Sequence, residues 1–377
     1  MRIKFITSKE LKHVATVPKC REAILVIKPY IPGKPIEEVQ RELGLKDVIK
    51  LASNENPLGP SPEAVRAIVE ASERVHIYPD GNCYILKEAL AAKYKINQNQ
   101  LIIGNGVDDL ISLIANTYIN PGDEIVVAEP TFSEYEFAAQ VMAGRAVYVP
   151  CRNFRHDLKA MAAAITPRTR LVFVCNPNNP TGTIVGHNSL ESFLRGIPSS
   201  VIVVLDEAYA EYVTAEQYPD SLSLVRKYAN VIILRSFSKL YGLAGLRVGY
   251  AIAAPEIIKD INRVRPPFNV NLIAQEAAVA ALNDEAHIKK SRDINNEGKA
   301  YLYQQFEAMG LKYVPTEANF IFVDLGRDCR EVFQQMLRKG VIVRTGDIFG
   351  YNSFLRLTIG TSRQNERFIK ALKEVLA

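Results

Sequence analysis

Three short runs of this chain are apolar without alternation: Leu171-Val172-Phe173-Val174, Val201-Ile202-Val203-Val204-Leu205 and Val231-Ile232-Ile233-Leu234. A strand with one wet face alternates polar and apolar residues; a strand covered on both faces does not. These runs therefore predict the interior of a parallel sheet. From about residue 51 to 265, helix-period segments and short strands alternate around them. A helix is expected over 61–71, with Ser61 as its cap and Pro62 in its first turn. Strands are expected at 101–103, 124–128, 146–149 and 247–251. This is the pattern of an α/β layer whose mostly parallel sheet carries helices on both faces. Beyond Pro266-Pro267 the pattern changes to long helical stretches, 273–282 and 288–309, and then to strands at 320–323 and 354–358. We read three parts: an N-terminal arm, 1–50, with one helix at Ile36–Leu43 and packing on the small domain; a large domain, 51–270; and a small α+β domain, 271–377.

The ends of the buried runs carry the polar residues of interest. Ligands of open α/β sheets bind beyond the carboxyl ends of the strands. Asp206 closes one run, where it serves either a ligand or the cap of the next helix. A second run breaks into Asn176-Pro177-Asn178-Asn179-Pro180-Thr181-Gly182, which brings Asn179 toward the same crevice. The third delivers Ser236-Phe237-Ser238-Lys239, followed by Arg247. Most lysines are solvated surface charges, because a buried ammonium is costly unless paired or deprotonated. Here two hydroxyls and a guanidinium accompany the amine. They could converge on one phosphate beside a lysine placed to form a Schiff base, which is what an aldehyde cofactor carrying a phosphate requires. Gly104-Asn105-Gly106-Val107 follows another short strand and opens a helical segment, a turn at which backbone N–H groups can approach an anion. Arg344 and Arg356 lie in or beside short apolar strands. There each guanidinium needs either an internal carboxylate or an anionic substrate.

In order along the chain stand Lys28-Pro29-Tyr30 with Pro32-Gly33-Lys34-Pro35, Leu51-Ala52-Ser53-Asn54-Glu55-Asn56-Pro57, Tyr78-Pro79-Asp80, Gly104-Asn105-Gly106, the Asn176–Gly182 segment, Asp206-Glu207-Ala208-Tyr209, Ser238-Lys239 to Arg247, and Leu355-Arg356-Leu357-Thr358-Ile359-Gly360. Together they resemble the aminotransferase branch of the pyridoxal 5′-phosphate (PLP) enzymes of fold type I, and within it most closely the histidinol-phosphate aminotransferases. The resemblance implies a large domain with a mostly parallel seven-stranded sheet and a smaller α+β domain. It implies PLP held on Lys239, which also moves the Cα proton. Asp206 is implied at the pyridine nitrogen, where a carboxylate keeps that nitrogen protonated. Tyr209 and Asn179 are implied at the ring's phenolic oxygen and Phe132 on the ring face. The backbone of Gly106 and Val107 is implied at the phosphate with Ser236, Ser238 and Arg247. It implies Tyr78 reaching the cofactor phosphate of a neighbouring subunit, hence a homodimer with a shared active site. Tyr30, Asn179, Arg344 and Arg356 are implied at the substrate.

The implied reaction is transamination between histidinol phosphate and 2-oxoglutarate in histidine biosynthesis. Relatives with the same cofactor residues act on aromatic amino acids or decarboxylate a phosphorylated amino acid. A PLP-sensing regulator would need a DNA-binding domain, and the region before residue 51 offers little more than one helix.

Composition agrees with a small-molecule enzyme. A chain of 377 residues that is 48% hydrophobic can fill more than one core. Its 46 basic and 41 acidic residues leave a dispersed +5, which does not suit nucleic acid. The five cysteines and five histidines are scattered, so neither a disulfide framework nor a metal site is expected. No segment has the apolar length of a signal peptide or a membrane span, and cytoplasm is the expected location.

Overall fold

The computed structural model describes residues 18–27 and 33–377. Its strands are β1 (Ile49–Lys50), β2 (Leu101–Gly104), β3 (Glu124–Glu129), β4 (Arg145–Pro150), β5 (Thr169–Cys175), β6 (Ile202–Asp206), β7 (Val231–Ser236), β8 (Gly249–Ala253), β9 (Lys312–Val314), β10 (Phe320–Asp324), β11 (Val341–Ile342), β12 (Arg344–Thr345) and β13 (Phe354–Thr358). Seven of them form one sheet in the order β2-β8-β7-β6-β5-β3-β4. All its pairings are parallel except the two made by β8. The α/β class with a mostly parallel sheet is therefore as the apolar runs imply.

The reason for the unalternating runs is visible in the packing. Val203 and Leu205 of β6 enter the core on one face of the sheet, and Ile202 and Val204 enter the core on the other. In β7, Val231 and Ile233 face one way and Ile232 and Leu234 the other. Each such side chain, fully buried, contributes about 1.5–3 kcal/mol relative to exposure. Polar residues are tolerated only where the strands end, which confines them to the rim.

Helices cover both faces. Pro62–Ser72 begins as expected, with Ser61 Oγ accepting from the Ala64 N–H at 3.0 Å. Leu272–Asn283 lies across that helix, and its Ala274, Ala277, Ala278 and Ala281 share the core of Val203. Small side chains allow that close approach. The eighth strand starts two residues later than the expected 247–251. Arg247 instead ends the 3₁₀ turn Ala244–Leu246 in the left-handed region, with φ 56°.

A second sheet, β12-β13-β10-β9, is antiparallel throughout. One face is apolar: Ile321, Val323, Leu355 and Leu357 pack with Leu302 and Phe306 of helix Glu285–Ala308 and with Phe368 of helix Ser362–Leu376. Strand alternation sends the intervening residues to the other face. Phe320 meets Ala208 and Tyr209 of the large layer, and Arg356 lies in register with Phe322 on one side and Arg344 on the other. β1 runs parallel to β11. The Leu51 N–H donates to the Ile342 carbonyl at 2.7 Å, and the Thr358 N–H to the Leu51 carbonyl at 2.9 Å. Those bonds anchor the segment that carries Ser53 and Asn54 to the seam between the two sheets.

Candidate active site

A cavity of about 270 Å³ opens at that seam, beyond the carboxyl ends of β5, β6 and β7 and under the Arg356 face of the small sheet. β7 ends at Ser236, whose Oγ accepts from the Ser238 N–H at 3.0 Å and folds the chain into a turn. The turn places the Lys239 amine 3.4 Å from the Ser53 carbonyl and 5.5 Å from the centre of the Tyr209 ring. Burial, reinforced by the Arg356 guanidinium, pulls Lys239 down to about 8. A substantial neutral fraction near neutral pH is what a nucleophilic amine needs.

Asp206 stands at the carboxyl end of β6 and is buried. Its Oδ2 accepts from the Tyr135 hydroxyl at 2.6 Å and its Oδ1 from the Ala208 N–H at 3.1 Å. Burial raises its carboxyl to about 6 against the pull of these two donors. The helix-cap alternative does not describe it. The element that follows is the 3₁₀ turn Ala210–Tyr212, whose cap is Tyr209. A cationic ring nitrogen brought against Asp206 would draw its pKa back down.

The Tyr209 hydroxyl accepts from Asn54 Nδ2 at 2.9 Å, and burial pushes its pKa up. Asn179 Oδ1 accepts from Arg356 Nη1 at 2.6 Å, and Arg356 Nη2 donates to the Ala52 carbonyl at 2.6 Å. The rings of Phe320 and Phe349 lie 5.5 and 5.8 Å from the Arg356 guanidinium carbon. Arg344, half-buried, lines the same cavity beside Gly33.

At the opposite end of the cavity Gly106 precedes helix Val107–Tyr118 with φ 88° and ψ 173°. The first N–H groups of that helix lack intrahelical partners and face the cavity mouth with the positive end of the helix dipole. A Cβ on Gly106 would stand 2.6 Å from Arg247 Nη2, so glycine is what lets the guanidinium lie against the turn. Arg247 also donates to Ser238 Oγ at 3.5 Å and to Asp108 Oδ2 at 3.0 Å.

Val107, Phe132, Asn179, Asp206, Tyr209, Ser236, Ser238, Lys239, Arg247, Arg344 and Arg356 all line this one cavity. Gly106 borders it through Arg247. Tyr78 does not line it. It is exposed, with its ring stacked on Phe268 at 4.8 Å. Tyr30 lies outside the described residues. Sequence reasoning missed Asn54 and Tyr135 as contributors. Asn54 sits within a motif already singled out, whereas Tyr135 lies on helix Glu134–Val141 with no local mark. Among the described residues no group of side chains could hold a metal ion, and no helix is long and apolar enough to cross a membrane.

The donors suit a phosphorylated ring aldehyde. There is an amine for the aldehyde, a carboxylate for a ring nitrogen, and a phenol and an amide for a ring oxygen; two hydroxyls, a guanidinium and a helix start serve the phosphate. A family model for aminotransferases of class I and II matches residues 46–372. The chain belongs to this family. Among individual aminotransferases, it is 77% identical to the histidinol-phosphate aminotransferase of Moorella thermoacetica over 97% of this chain and 95% of that one. It is 51% identical to the histidinol-phosphate aminotransferase of Caldicellulosiruptor saccharolyticus over 94% of this chain and 99% of that one. The crystal structure of the histidinol-phosphate aminotransferase from Sinorhizobium meliloti, in complex with pyridoxal 5′-phosphate, superposes with a TM-score of 0.90 at 28% identity, covering 96% and 98% of the two chains. The seven-stranded layer and the antiparallel sheet are thus those of the aminotransferase fold, fold type I of the PLP enzymes.

Proposed function

We propose that this aminotransferase uses PLP to move the amino group of histidinol phosphate to 2-oxoglutarate, giving imidazole acetol phosphate and glutamate, as a step of histidine biosynthesis. The observation that carries the substrate is the 77% identity to the Moorella relative across nearly the whole chain. The two arginines on the small-sheet side of the cavity support it. When bound, PLP supplies an aldehyde that takes up the amino group and a ring that accepts the electron pair left at Cα. The chain's own residues do the rest. Ser236, Ser238, Arg247 and the backbone of Gly106 and Val107 bind the phosphate. Asp206 keeps the ring nitrogen protonated, Phe132 covers one ring face, and Tyr209 and Asn179 donate to the ring oxygen. Lys239 Nζ accepts the proton that leaves substrate Cα, a role for which its lowered pKa suits it. Arg344 and Arg356 bind the phosphate of one substrate and the carboxylates of the other, with Tyr30 closing over the imidazole.

Two chains form the working unit, with Tyr78 of each reaching the neighbour's phosphate, and the enzyme works in the cytoplasm. The division into an arm (1–50), a large part (51–270) and a small part (271–377) belongs to the same proposal, with Leu272–Asn283 riding on the large part. The test is a panel of donors, histidinol phosphate, phenylalanine, tyrosine and threonine phosphate, each with 2-oxoglutarate, following glutamate and carbon dioxide. Glutamate formed fastest from histidinol phosphate is expected. Preference for phenylalanine or tyrosine, or release of carbon dioxide from threonine phosphate, overturns the substrate.

A further inference from the structure

Tyr135 has no part in the reading above, yet it touches two of the groups assigned to the cofactor ring. Its side chain is fully buried, 1% exposed. Its hydroxyl donates to Asp206 Oδ2 at 2.6 Å. Its ring stacks on Phe173 of β5, with centroids 4.5 Å apart and planes 13° from parallel, and meets the Phe132 ring edge-on at 5.7 Å and 82°. Phe173 is itself 1% exposed in the core of the large layer. Tyr135 is therefore clamped from behind by the sheet and touches both site groups with its remaining surface.

We propose that Tyr135 is a positioning residue of this site: its hydroxyl fixes the orientation of Asp206 while its ring edge fixes Phe132, so that the ring-nitrogen partner and the ring-face partner are held to one another. The inference rests on the cofactor reading above.

Asp206 has two carboxylate oxygens to orient. The Ala208 N–H takes one, and Tyr135 holds the other. With both donors in place the carboxylate plane is fixed without any contribution from a ligand, and each oxygen keeps acceptor capacity beside the cavity that Asp206 lines. An aromatic pair in edge-on contact is worth about 0.5–1.5 kcal/mol beyond its burial, enough to select one rotamer of the half-buried Phe132. Of the charged groups that act most on Asp206, Asp108 and Glu207 both oppose its ionisation; Cys175, its parallel-strand partner, lies beside the Tyr135 hydroxyl, and Tyr209, Lys239, Arg247 and Arg356 line the same cavity. The Tyr135 phenol is the side chain that most favours the charged form of Asp206. A side chain whose role was packing alone would have no need of that hydroxyl.

The test is Tyr135→Phe, which keeps the ring and removes only the donor. In cofactor-free protein carrying ¹³C-labelled aspartate, the Asp206 carboxyl is followed by infrared difference against Asp206→Asn. Loss of a hydrogen bond to a charged group should raise its pKa by about one to two pH units. PLP affinity is then measured for wild type, Tyr135→Phe, Asp206→Asn and the double variant. About tenfold weaker binding is expected when Tyr135→Phe is made in the wild type, and no loss when it is added to Asp206→Asn. An analogue with carbon in place of the ring nitrogen should bind wild type and Tyr135→Phe alike. An unmoved Asp206 pKa, or equal losses for PLP in both backgrounds, overturns the positioning role. Failure of the wild type to bind PLP at all would instead remove the cofactor reading, while leaving the cofactor-free pKa shift to be read. Tyr135→Leu, which removes the edge contact as well, should weaken PLP further. If it binds no worse than Tyr135→Phe, the Phe132 half of the proposal falls.

Discussion

Gly106→Ala is the substitution whose cost the structure defines most fully. With φ 88° and ψ 173° the residue lies in a region that only glycine occupies without strain, and forcing a side chain there costs about 1–3 kcal/mol. The added methyl meets a second obstacle. Its Cβ would fall 2.6 Å from Arg247 Nη2 and 3.1 Å from Cζ, so the guanidinium must swing away. That movement breaks the contacts to Ser238 Oγ and Asp108 that now aim it across the cavity mouth. If Arg247 binds the cofactor phosphate, losing one charged hydrogen bond costs about 1.5–3 kcal/mol, roughly ten- to a hundredfold in affinity. The assay is titration of cofactor-free protein with PLP by absorbance, beside a thermal melt in which a fall of at least about 2 °C accompanies the backbone strain. Gly245→Ala is the control. It lies in the same turn as Arg247, has no positive φ, and has nothing within 4 Å of the added carbon, so it should be nearly silent. Wild-type affinity and stability in Gly106→Ala would refute the argument. Equal losses in both variants would refute it as well, since they would mean the turn is loosened rather than the guanidinium displaced.

Lys239→Ala should stay folded and lose the cofactor adduct that borohydride traps in the wild type; peptide mapping that finds the adduct on another lysine refutes it. The wild-type rate of adduct formation should rise with pH through about 8, because the neutral amine is the reactive form. Asp206→Asn should slow Cα proton removal at least about tenfold in single-turnover experiments. The linkage for Asp206 has a definite sign: its folded pKa is raised to about 6 from 3.8, so the folded state binds more protons between those values and stability falls as pH rises through that window. Cofactor-free Asp206→Asn should therefore melt higher than wild type above pH 6 and show no such advantage below pH 4; the reverse order refutes the burial argument. Arg356→Lys should lower kcat/KM for both histidinol phosphate and glutamate, and Arg344→Lys chiefly for the phosphorylated donor, because lysine keeps the charge but loses the bidentate fork. Equal losses from Arg344→Lys would remove it as a phosphate reader. Mixing Tyr78→Phe with Lys239→Ala chains should restore activity through hybrid dimers with one intact site, and no recovery despite proven subunit exchange would argue against a shared site.

What was legible in the sequence follows from how far each residue stands from the signal that marks it. Asp206, Asn179 and Lys239 closely follow buried apolar runs, and such a run tells where a strand ends and which edge of the sheet it ends on. Arg356 was legible for a related reason: Leu355 and Leu357 flank it and pack into the core of the small layer, and strand alternation sends the residue between them to the opposite side. Tyr135 and Asn54 carry no such mark. Tyr135 is one of several buried residues of a helix and reaches a partner 71 positions away. Asn54 adopts φ 57° and meets Tyr209 across 155 positions. Tertiary packing alone decides such contacts. The start of β8 was placed two residues early because Val248 extends the apolar stretch of 250–253, whereas Arg247 closes the 3₁₀ turn in the left-handed region with φ 56°.

Charge concentrates at the seam between the sheets because of how each sheet is covered. The large sheet is dry on both faces, so its polar residues lie along its rim. The antiparallel sheet packs one face on its own helices and turns the other, which carries Phe320 and Phe322 with Arg344 and Arg356, toward the first sheet. When that second face is laid over the carboxyl rim of the first, the two sets of polar groups meet in a single cavity. Lys239 and Asp206 arrive from the rim, and Arg344 and Arg356 from the face. The Lys239 amine is lowered by its burial in that cavity and by the Arg356 cation that the second sheet brings. A solvated lysine with no such cation beside it would keep its ordinary proton affinity and would be a poor nucleophile at neutral pH. The chemistry of this site is therefore a property of the contact between the two sheets.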